Sequence, residues 1–541
     1  MKRENLLQRF GLGLLLLVFA ASAVHLATRT RRAATPGIIT LRFAHWQLEG
    51  GLREAYAAVA ERYMALHPNV RVEQMPIPER VYGSWMRTQL VGGTAPDLIE
   101  FGQLPMDVMD ELLARNFLPL TAEVEKPNPY NRGTPLERVV WRETFVDGLD
   151  TGYRTSNLRE YYKIPTAMFT ARIYYNRDLW RELLGDTPEP RTFAEFTAIA
   201  RRVQAAPPVA GVPLVALAGA FRNSWVMLDR EFGSQMQRMS LQVDVDHNLT
   251  VANTEVAVGW LRRTWGADSP EFSRGLELAR DLIGTMSPGF VQQTRDDAVF
   301  LFLQRRALMV IAGSWDYTSL NSQADFPLGA FPLPLPARSD PVYGPAMLGE
   351  MNEAEAGAES AFALNAAGAH PEVALDFLHF ITSAEGNRLF VEKSRWLPAV
   401  TGIMPPENLR PLMPVTEGYP NGFNARLLAN LGFDVRRLWE NNLGLLGAPT
   451  DGVAQVQAIY REQLPAALKA DLTRLIAALR ANVARQDTTI AALTGVMHGD
   501  STADRDRVET KRSDIFRQQN AREAEAYWAE AELTAATRSA P

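Results

Sequence analysis

A strand, a helix and a second strand follow one another within residues 38–72. Residues 38–43 are rich in β-branched and aromatic side chains, which favour a strand. Apolar residues then recur every three or four positions from residue 52 to residue 66, and a short apolar run at 70–72 follows a His-Pro-Asn turn. Two strands joined by a crossover helix pair in parallel, so this stretch predicts an α/β fold with a parallel sheet.

The composition excludes several classes of protein. The chain has 541 residues, of which 46% are hydrophobic and 22% are charged, as in an ordinary soluble globular protein. The formal net charge is -6, and Lys and Arg are interspersed with Asp and Glu. A protein that binds a polyanion concentrates basic residues in a patch. We therefore expect no nucleic-acid partner.

The residues that most often hold metals are scarce. There is no cysteine, which excludes disulfides, thiolate nucleophiles, Cys-ligated metal sites and a lipid-modified Cys. The seven histidines form no HExxH motif and no close pair. We therefore predict neither a metal site nor a cofactor.

The first 32 residues have the pattern of an export segment. Lys2, Arg3 and Arg9 precede an apolar run over residues 10–26, and the small residues 21–23 lie near its end. A basic region, an apolar region and an A-x-A site are typical of a secretory signal. Two outcomes stay open: cleavage after Ala23, or retention of residues 10–26 as a membrane anchor. Both predict that the bulk of the chain lies in the periplasm or on the extracytoplasmic face of the cytoplasmic membrane.

Four segments, in this order, resemble the family 1 extracellular solute-binding proteins of ABC importers, which include maltodextrin-binding protein. They are the opening strand at 41–46 with the turn at 67–70, the Gly-Thr-Ala-Pro-Asp-Leu stretch at 93–98, the strand and helix start at 173–179 with 190–196, and the strand ending in Gly-Ser-Trp at 307–315 with the helix at 370–377. The resemblance covers about residues 38–400 and rests on the order and spacing of these segments.

The resemblance implies a type II periplasmic-binding-protein fold. Each of its two α/β lobes would contain a mainly parallel sheet flanked by helices, with ligand held in the cleft between them. Lobe 1 would comprise residues 38–165 and 332–400, and lobe 2 residues 166–331 and 401–480. Residues 481–541 depart from the family pattern. Their composition predicts a helical C-terminal extension, which we expect to pack on lobe 2.

Residues that follow strands are the candidates for ligand contact. Sugars combine hydroxyl groups with apolar C–H faces, so their sites need aromatic rings beside hydrogen-bonding groups. In open α/β sheets ligands lie beyond the carboxyl ends of the strands. The resemblance similarly places contacts after the first strand and at the Trp of the Gly-Ser-Trp segment. Our candidates are Trp46, Glu49, Gln103, Tyr175, Asn176, Ser314, Trp315, Trp225 and Trp396.

The expected function is capture of a mono- or oligosaccharide and its delivery to the permease subunits of an ABC importer. We expect a monomer without enzymatic activity. Two other readings stay open. A carbohydrate-active hydrolase needs only two carboxylates across a cleft, and carboxylates are plentiful here. An interaction or scaffold protein would use the C-terminal helices, whose apolar spacing suits helix pairing.

Overall fold

The computed structural model describes residues 37–48, 50–102, 106–149, 160–208, 211–247, 251–353, 360–423, 431–448, 450–498 and 505–538. The strands are β1 (Ile39–His45), β2 (Val70–Pro76), β3 (Leu98–Glu100), β4 (Lys163–Pro165), β5 (Ala167–Met168), β6 (Ala171–Asn176), β7 (Val215–Ala218), β8 (Ala307–Gly313), β9 (Leu328–Phe331), β10 (Ala361–Leu364) and β11 (Leu397–Pro398).

The α-helices are α1 (Leu52–Leu66), α2 (Glu79–Gly92), α3 (Met106–Asn116), α4 (Thr121–Val124), α5 (Arg177–Leu184), α6 (Phe193–Gln204), α7 (Phe221–Val243), α8 (Asn253–Leu261), α9 (Pro270–Ile283), α10 (Arg295–Leu303), α11 (Tyr317–Gln323), α12 (Pro371–Ile381), α13 (Ala384–Ser394), α14 (Phe433–Asn442), α15 (Gly452–His498) and α16 (Arg505–Arg538). Among the described residues, no helix combines the length and the apolar character needed to cross a membrane.

Lobe 1 is built on a five-stranded sheet with the order β2-β1-β3-β10-β4. Successive side chains of a strand point to opposite faces, so the sheet has two apolar faces. On one face, Phe43 and Leu98 pack against α1, α12 and α13. On the other, Ala44 and Ile99 pack with side chains of α2 and α3. The predicted strand–helix–strand unit is β1-α1-β2, and its two strands pair in parallel.

Lobe 2 is built on a four-stranded sheet with the order β7-β8-β6-β9. One face carries Ile311 and Met309 and packs against the helices of a large apolar core that includes α6, α7 and α9. Helix α6 begins with a capping box, in which Thr192 Oγ1 accepts from Glu195 N at 3.3 Å and Glu195 Oε2 accepts from Thr192 N at 3.1 Å. The capping motif therefore fixes where α6 begins.

The two-lobed α/β architecture agrees with the expectation, but the sheets are mixed. In lobe 2 only β7 and β8 are parallel, while β6 runs antiparallel to both β8 and β9. In lobe 1 β10 runs antiparallel to β3 and β4. The parallel pairs are those joined by helical crossovers. The antiparallel strands are those at which the chain enters or leaves a lobe without a crossover helix.

The chain passes between the lobes beside a small two-stranded sheet. Strand β4 belongs to the lobe 1 sheet and β6 to the lobe 2 sheet, and β5 lies between them in sequence. Strand β5 pairs antiparallel with β11, which follows α13. One apolar core is continuous through this connection and includes Phe362 of lobe 1 and Val310 of lobe 2.

The C-terminal helices pack on both lobes rather than on lobe 2 alone. Helices α15 and α16 pair along their length, and α16 contacts α3 in lobe 1 and α8 in lobe 2. Ile515 belongs to the apolar core of lobe 1, whereas Ala526 and Ala529 belong to the core of lobe 2. The composition and apolar spacing of the sequence predicted helices here, but not which surfaces their apolar positions would meet.

Candidate functional site

A buried carboxyl group joins the carboxyl ends of β1 and β3 in lobe 1. Glu100 is fully buried; its Oε2 accepts from Trp46 N at 3.0 Å, and its Oε1 accepts from Gln47 Nε2 at 2.7 Å. Tyr82 OH donates to Glu100 O at 2.8 Å. Burial lowers the pKa of the neighbouring His45 to about 4, so its imidazole is neutral near pH 7. The two hydrogen bonds that the Glu100 carboxyl group accepts hold the segment after β1 in place. The sequence analysis did not predict this role.

The ring of Trp46 lies against the backbone after β3. It is buried, its ring centroid is 5.0 Å from that of Tyr82, and the two rings meet edge to face. A Cβ atom on Gly102 would lie 2.5 Å from Trp46 Cη2, so glycine is needed for this approach. Trp46 is thus a packed side chain at the strand ends of lobe 1.

We expect Gly102→Ala to destabilise lobe 1 by about 1–3 kcal/mol, the usual cost of overpacking a filled site. The added methyl group must displace the Trp46 ring, because the two cannot occupy the same space. The change is measured by denaturant unfolding. Gly50→Ala is the matched control, since a Cβ there meets nothing within 4 Å. An equal effect of both substitutions would contradict the packing argument.

Three aromatic side chains from separate segments meet where the chain passes between the lobes. Phe169 follows β5, Trp315 follows β8, and Trp396 precedes β11. The ring centroid of Phe169 is 5.6 Å from that of Trp315 and 4.8 Å from that of Trp396, both edge to face. Phe169 and Trp396 are buried, while Trp315 is half-buried. We call these three residues the aromatic cluster; Trp315 is its most accessible member.

The backbone around Ser314 fixes the position of this cluster. Ser314 N donates to Thr170 O at 2.8 Å, and Thr170 N donates to Ser314 Oγ at 3.1 Å. A Cβ on Gly313 would lie 2.2 Å from Trp315 Cε2, so the indole folds back over a residue that must be glycine. The Gly-Ser-Trp sequence therefore orients the Trp315 ring. Ser314 itself is buried and uses its hydroxyl group on the backbone.

A buried ion pair ties together the segments beside this connection. Arg172 Nη1 donates to Glu353 Oε1 at 2.9 Å and Arg172 Nη2 to Glu353 Oε2 at 2.8 Å, with both side chains almost fully buried. The guanidinium also donates to Pro411 O at 3.0 Å and to Met413 O at 2.5 Å. Glu353 Oε2 accepts in turn from Val415 N at 2.8 Å. Sequence reasoning gave no signal for this pair, because its members are far apart in the chain.

Tyr175 and Asn176 lie away from the aromatic cluster. In the β6–β8 pairing, Ala171 lies opposite Gly313, so the cluster is at the start of β6 and Asn176 is at its end. Five residues of extended chain separate these ends by about 16 Å. The rule that contacts follow strands was applied as if these strands were parallel, but antiparallel strands end at opposite edges of a sheet.

Both of these side chains have local roles at the far end of β6. Tyr175 OH donates to Glu189 Oε1 at 2.7 Å, and its ring packs on Trp180 in the lobe 2 core. Asn176 Oδ1 caps α5 by accepting from the backbone N–H groups of Asp178 and Leu179. The structure therefore brings neither residue to the other candidates.

Three further candidates cannot be placed. Glu49 and Gln103 lie outside the described residues, as does the side chain of Trp225 on α7. Trp46 and the Glu100 network form one group, in lobe 1. Ser314, Trp315 and Trp396 form the other, at the connection between the lobes.

Two cavities lie away from the candidate residues that can be placed. One of about 580 Å³ lies between α3, β10 and the start of α16, and one of about 740 Å³ lies between the end of α8, α15 and α16. None of the candidate residues that the structure describes lines either cavity.

One group of carboxylates in the described part of the chain has the spacing of a metal site. Asp244, Asp246 and Glu255 bring oxygen atoms within 4.8 Å of one another. The Glu255 carboxyl group already accepts from Val245 N at 2.7 Å and from Ala252 N at 2.8 Å. The bond from Ala252 N lies at the start of α8, and the two bonds together account for the position of Glu255. The expectation of no metal site stays a prediction.

Comparison with known proteins found one curated relative. The chain is 22% identical over 431 residues, covering 76% of this chain and 83% of the relative, to an uncharacterised ABC transporter extracellular-binding protein of Pyrococcus horikoshii.

Solved structures share the fold at low sequence identity. The apo form of RafE from Streptococcus pneumoniae aligns with a TM-score of 0.55 and 17% identity, covering 79% of this chain and 98% of RafE. The GacH receptor of Streptomyces glaucescens, solved unliganded and with acarbose, aligns with a TM-score of 0.52 and 16% identity, covering 79% of this chain and 99% of GacH. A cyclo/maltodextrin-binding protein complexed with maltotetraose aligns with a TM-score of 0.52 and 15% identity, covering 80% of this chain and 98% of that protein. At these identities the similarity establishes the two-lobed fold.

The family model described as bacterial extracellular solute-binding protein matches residues 49–388, which is more than half of the chain. The match begins just after β1 and ends within α13, so it includes the lobe 2 sheet and every strand of the lobe 1 sheet except β1. This chain belongs to the bacterial extracellular solute-binding protein family.

Proposed function

We propose that this protein captures a carbohydrate between its two lobes, outside the cytoplasm, and delivers it to the permease of an ABC importer. The observation that carries the proposal is the aromatic cluster. Its three rings come from three separate segments that meet where the chain passes between the lobes, and the Trp315 side chain is half-buried there. A rigid aromatic face matches the apolar C–H face of a sugar ring at little cost in side-chain entropy.

The polar groups of lobe 1 complement the aromatic cluster. The segment after β1 is held by Glu100 through Trp46 N and Gln47 Nε2, which fixes the edge of lobe 1 at its strand ends. Glu49 and Gln103 follow the same two strands and stay as proposed contacts. Specificity for hydroxyl groups requires polar groups of this kind at fixed positions beside an apolar face.

The similar proteins support the proposed substrate class and the proposed partner. GacH was solved with acarbose and the cyclo/maltodextrin-binding protein with maltotetraose, both carbohydrates or carbohydrate analogues. The Pyrococcus relative is described as an ABC transporter extracellular-binding protein. We propose the same assignment here, with a monomer that is exported by residues 1–32. The family and these neighbours are binding proteins, and we propose no catalytic role.

A thermal unfolding series tests the proposal. Residues 33–541 are heated with mono- and oligosaccharides, polyols and, for comparison, phosphorylated glycerols. A ligand that binds only the native state raises the unfolding midpoint. At a free ligand concentration about 100 times Kd, it adds about 2.7 kcal/mol to the free energy of unfolding. We expect one class of saccharide to raise it.

Substitution of Trp315 connects binding to the proposed site. Trp315→Ala should weaken saccharide binding about 30-fold or more, because aromatic anchors at the centre of a site each contribute about 2 kcal/mol. Trp260→Ala is the matched control, since Trp260 is also half-buried but packs on Trp265 in lobe 2. No shift with any saccharide would refute carbohydrate capture, and consumption of a saccharide would favour the hydrolase instead.

A further inference from the structure

The C-terminal hairpin, which we define as α15 and α16, is anchored on lobe 2 by a continuous apolar seam. Six buried side chains of α15 recur every three or four residues and face the lobe 2 core: Tyr460, Leu464, Leu468, Leu472, Ile476 and Leu479. From α16, Ala526 and Ala529 enter the same core. Arg262, which directly follows α8, forms a bidentate ion pair with Glu532 at 2.6 and 3.0 Å.

The other end of the hairpin reaches lobe 1. Ile515 is buried in the lobe 1 core, and Ile490 and Leu493 pack against that core from α15. Tyr162 OH, next to β4, donates to Asp514 Oδ2 at 2.7 Å. Arg517 Nη2 donates to Glu160 Oε1 at 2.7 Å. We call this set of contacts the interlobe contact, because it joins a hairpin anchored on lobe 2 to lobe 1.

The hairpin connects these two ends as one stiff body. Helix α15 has 47 residues and so extends over about 70 Å. Its partner α16 is held to it by Gln519 Nε2, which donates to Asp487 Oδ1 at 2.6 Å and to Val483 O at 3.1 Å. An ion pair between Arg480 and Glu530 adds a second connection nearer lobe 2. Two helices paired in this way bend much less readily than a loop would.

The attachments to the two lobes are unequal. On lobe 2 a row of fully buried side chains is shared with the core. On lobe 1 the contacts of the described residues include one buried isoleucine, two half-buried apolar side chains, one hydroxyl–carboxylate bond and one partly exposed ion pair. Any rotation of lobe 1 relative to lobe 2 would therefore break or rearrange the interlobe contact, because that attachment is weaker than the apolar seam on lobe 2.

We propose that the C-terminal hairpin restrains the motion between the lobes, and that the interlobe contact sets how far and how often lobe 1 departs from the arrangement shown. The proposal rests on the proposed function insofar as hinge motion of two lobes around a ligand gives the restraint its purpose. If ligand binds one arrangement of the lobes, its apparent affinity scales with the population of that arrangement. The hairpin then adjusts affinity without touching the ligand.

The test measures the distance between the lobes directly. The chain contains no cysteine, so two spin labels can be attached to Val91→Cys in lobe 1, whose side chain is 91% exposed, and Glu182→Cys in lobe 2. Tyr162→Phe removes the hydroxyl–carboxylate bond at nearly constant volume, and Arg517→Gln removes the ion pair. We expect the ligand-free distance distribution of the double variant to broaden or shift by more than about 2 Å, the size that marks a domain rearrangement.

The control acts on the other end of the hairpin. Arg262→Gln breaks an ion pair to the same helix, but on the lobe that the apolar seam already secures, so the distribution should stay as in the parent protein. An unchanged distribution in the Tyr162→Phe/Arg517→Gln variant would overturn the proposal. Because the measurement needs no ligand, its result is separate from that of the saccharide panel. If a saccharide binds, its Kd should change in the double variant and not in the control.

Discussion

Replacing Glu353 with alanine should destabilise the protein by about 3–5 kcal/mol, the usual cost of breaking a buried ion pair from one side. Arg172 would keep its bonds to backbone carbonyl groups at Pro411 and Met413, but its charge would have no counterion in a site from which water is excluded. The same substitution frees Val415 N, which donates to the Glu353 carboxyl group. Urea unfolding measures the loss.

A double substitution distinguishes the effect of losing both charges of the Arg172–Glu353 pair from that of losing one. Arg172→Met/Glu353→Leu removes both charges and fills the space with apolar atoms, so it should be more stable than Glu353→Ala despite the larger change. Arg461→Ala breaks an exposed pair with Asp268 and should leave the unfolding midpoint nearly unchanged. A Glu353→Ala protein as stable as the Arg461→Ala protein would contradict this account of the buried pair.

The fold could be predicted because its evidence is local. The spacing of apolar residues from 52 to 66 predicted α1, and the β-rich runs on either side of it predicted β1 and β2. Sheet direction could not be predicted in this way, because the pairing of β6 with β8 joins segments more than a hundred residues apart. The same limit applies to the hairpin, whose apolar positions were evident while their partners were not.

The candidate site shows the same division between local and distant information. The Gly-Ser-Trp sequence made Trp315 a candidate contact, and in the structure its half-buried indole folds back over Gly313. The residues that hold the site in place, Glu100 and Arg172, were missed because an isolated charged residue in a sequence is usually solvated. Only their contacts reveal that both are buried and fully engaged.

Another buried carboxyl group lies in lobe 2 and, unlike those of Glu100 and Glu353, accepts no hydrogen bond from the described residues. Glu231 lies on α7 with its side chain fully buried, and neither carboxyl oxygen has a hydrogen-bond partner in the described part of the chain. Burial raises the pKa of Glu231 well above 4.5; Arg230 opposes this rise and Asp281 adds to it. The native protein therefore holds the proton to higher pH than the unfolded chain does.

This difference in pKa predicts a pH-dependent penalty. Below about pH 4.5 both states are protonated, and Glu231 costs only its unmade hydrogen bonds, about 1–3 kcal/mol. As the pH rises, the unfolded chain releases the proton while the native protein keeps it, so stability falls by about 1.4 kcal/mol per pH unit until the native pKa is reached. Glu231→Met should therefore be more stable than the parent protein, by a margin that grows from pH 5 to pH 7.

Glu231→Gln separates the two parts of this effect, because glutamine has nearly the same shape but does not ionise. The growth of the margin with pH should appear for both substitutions, since both remove the ionisable group. The constant part should appear for Glu231→Met alone, because the amide still leaves buried polar atoms unpaired. Urea midpoints at pH 5, 6 and 7 give both parts. A margin that does not change with pH would mean that Glu231 ionises as readily in the folded protein as in the unfolded chain, and that the interior of lobe 2 stabilises its charge.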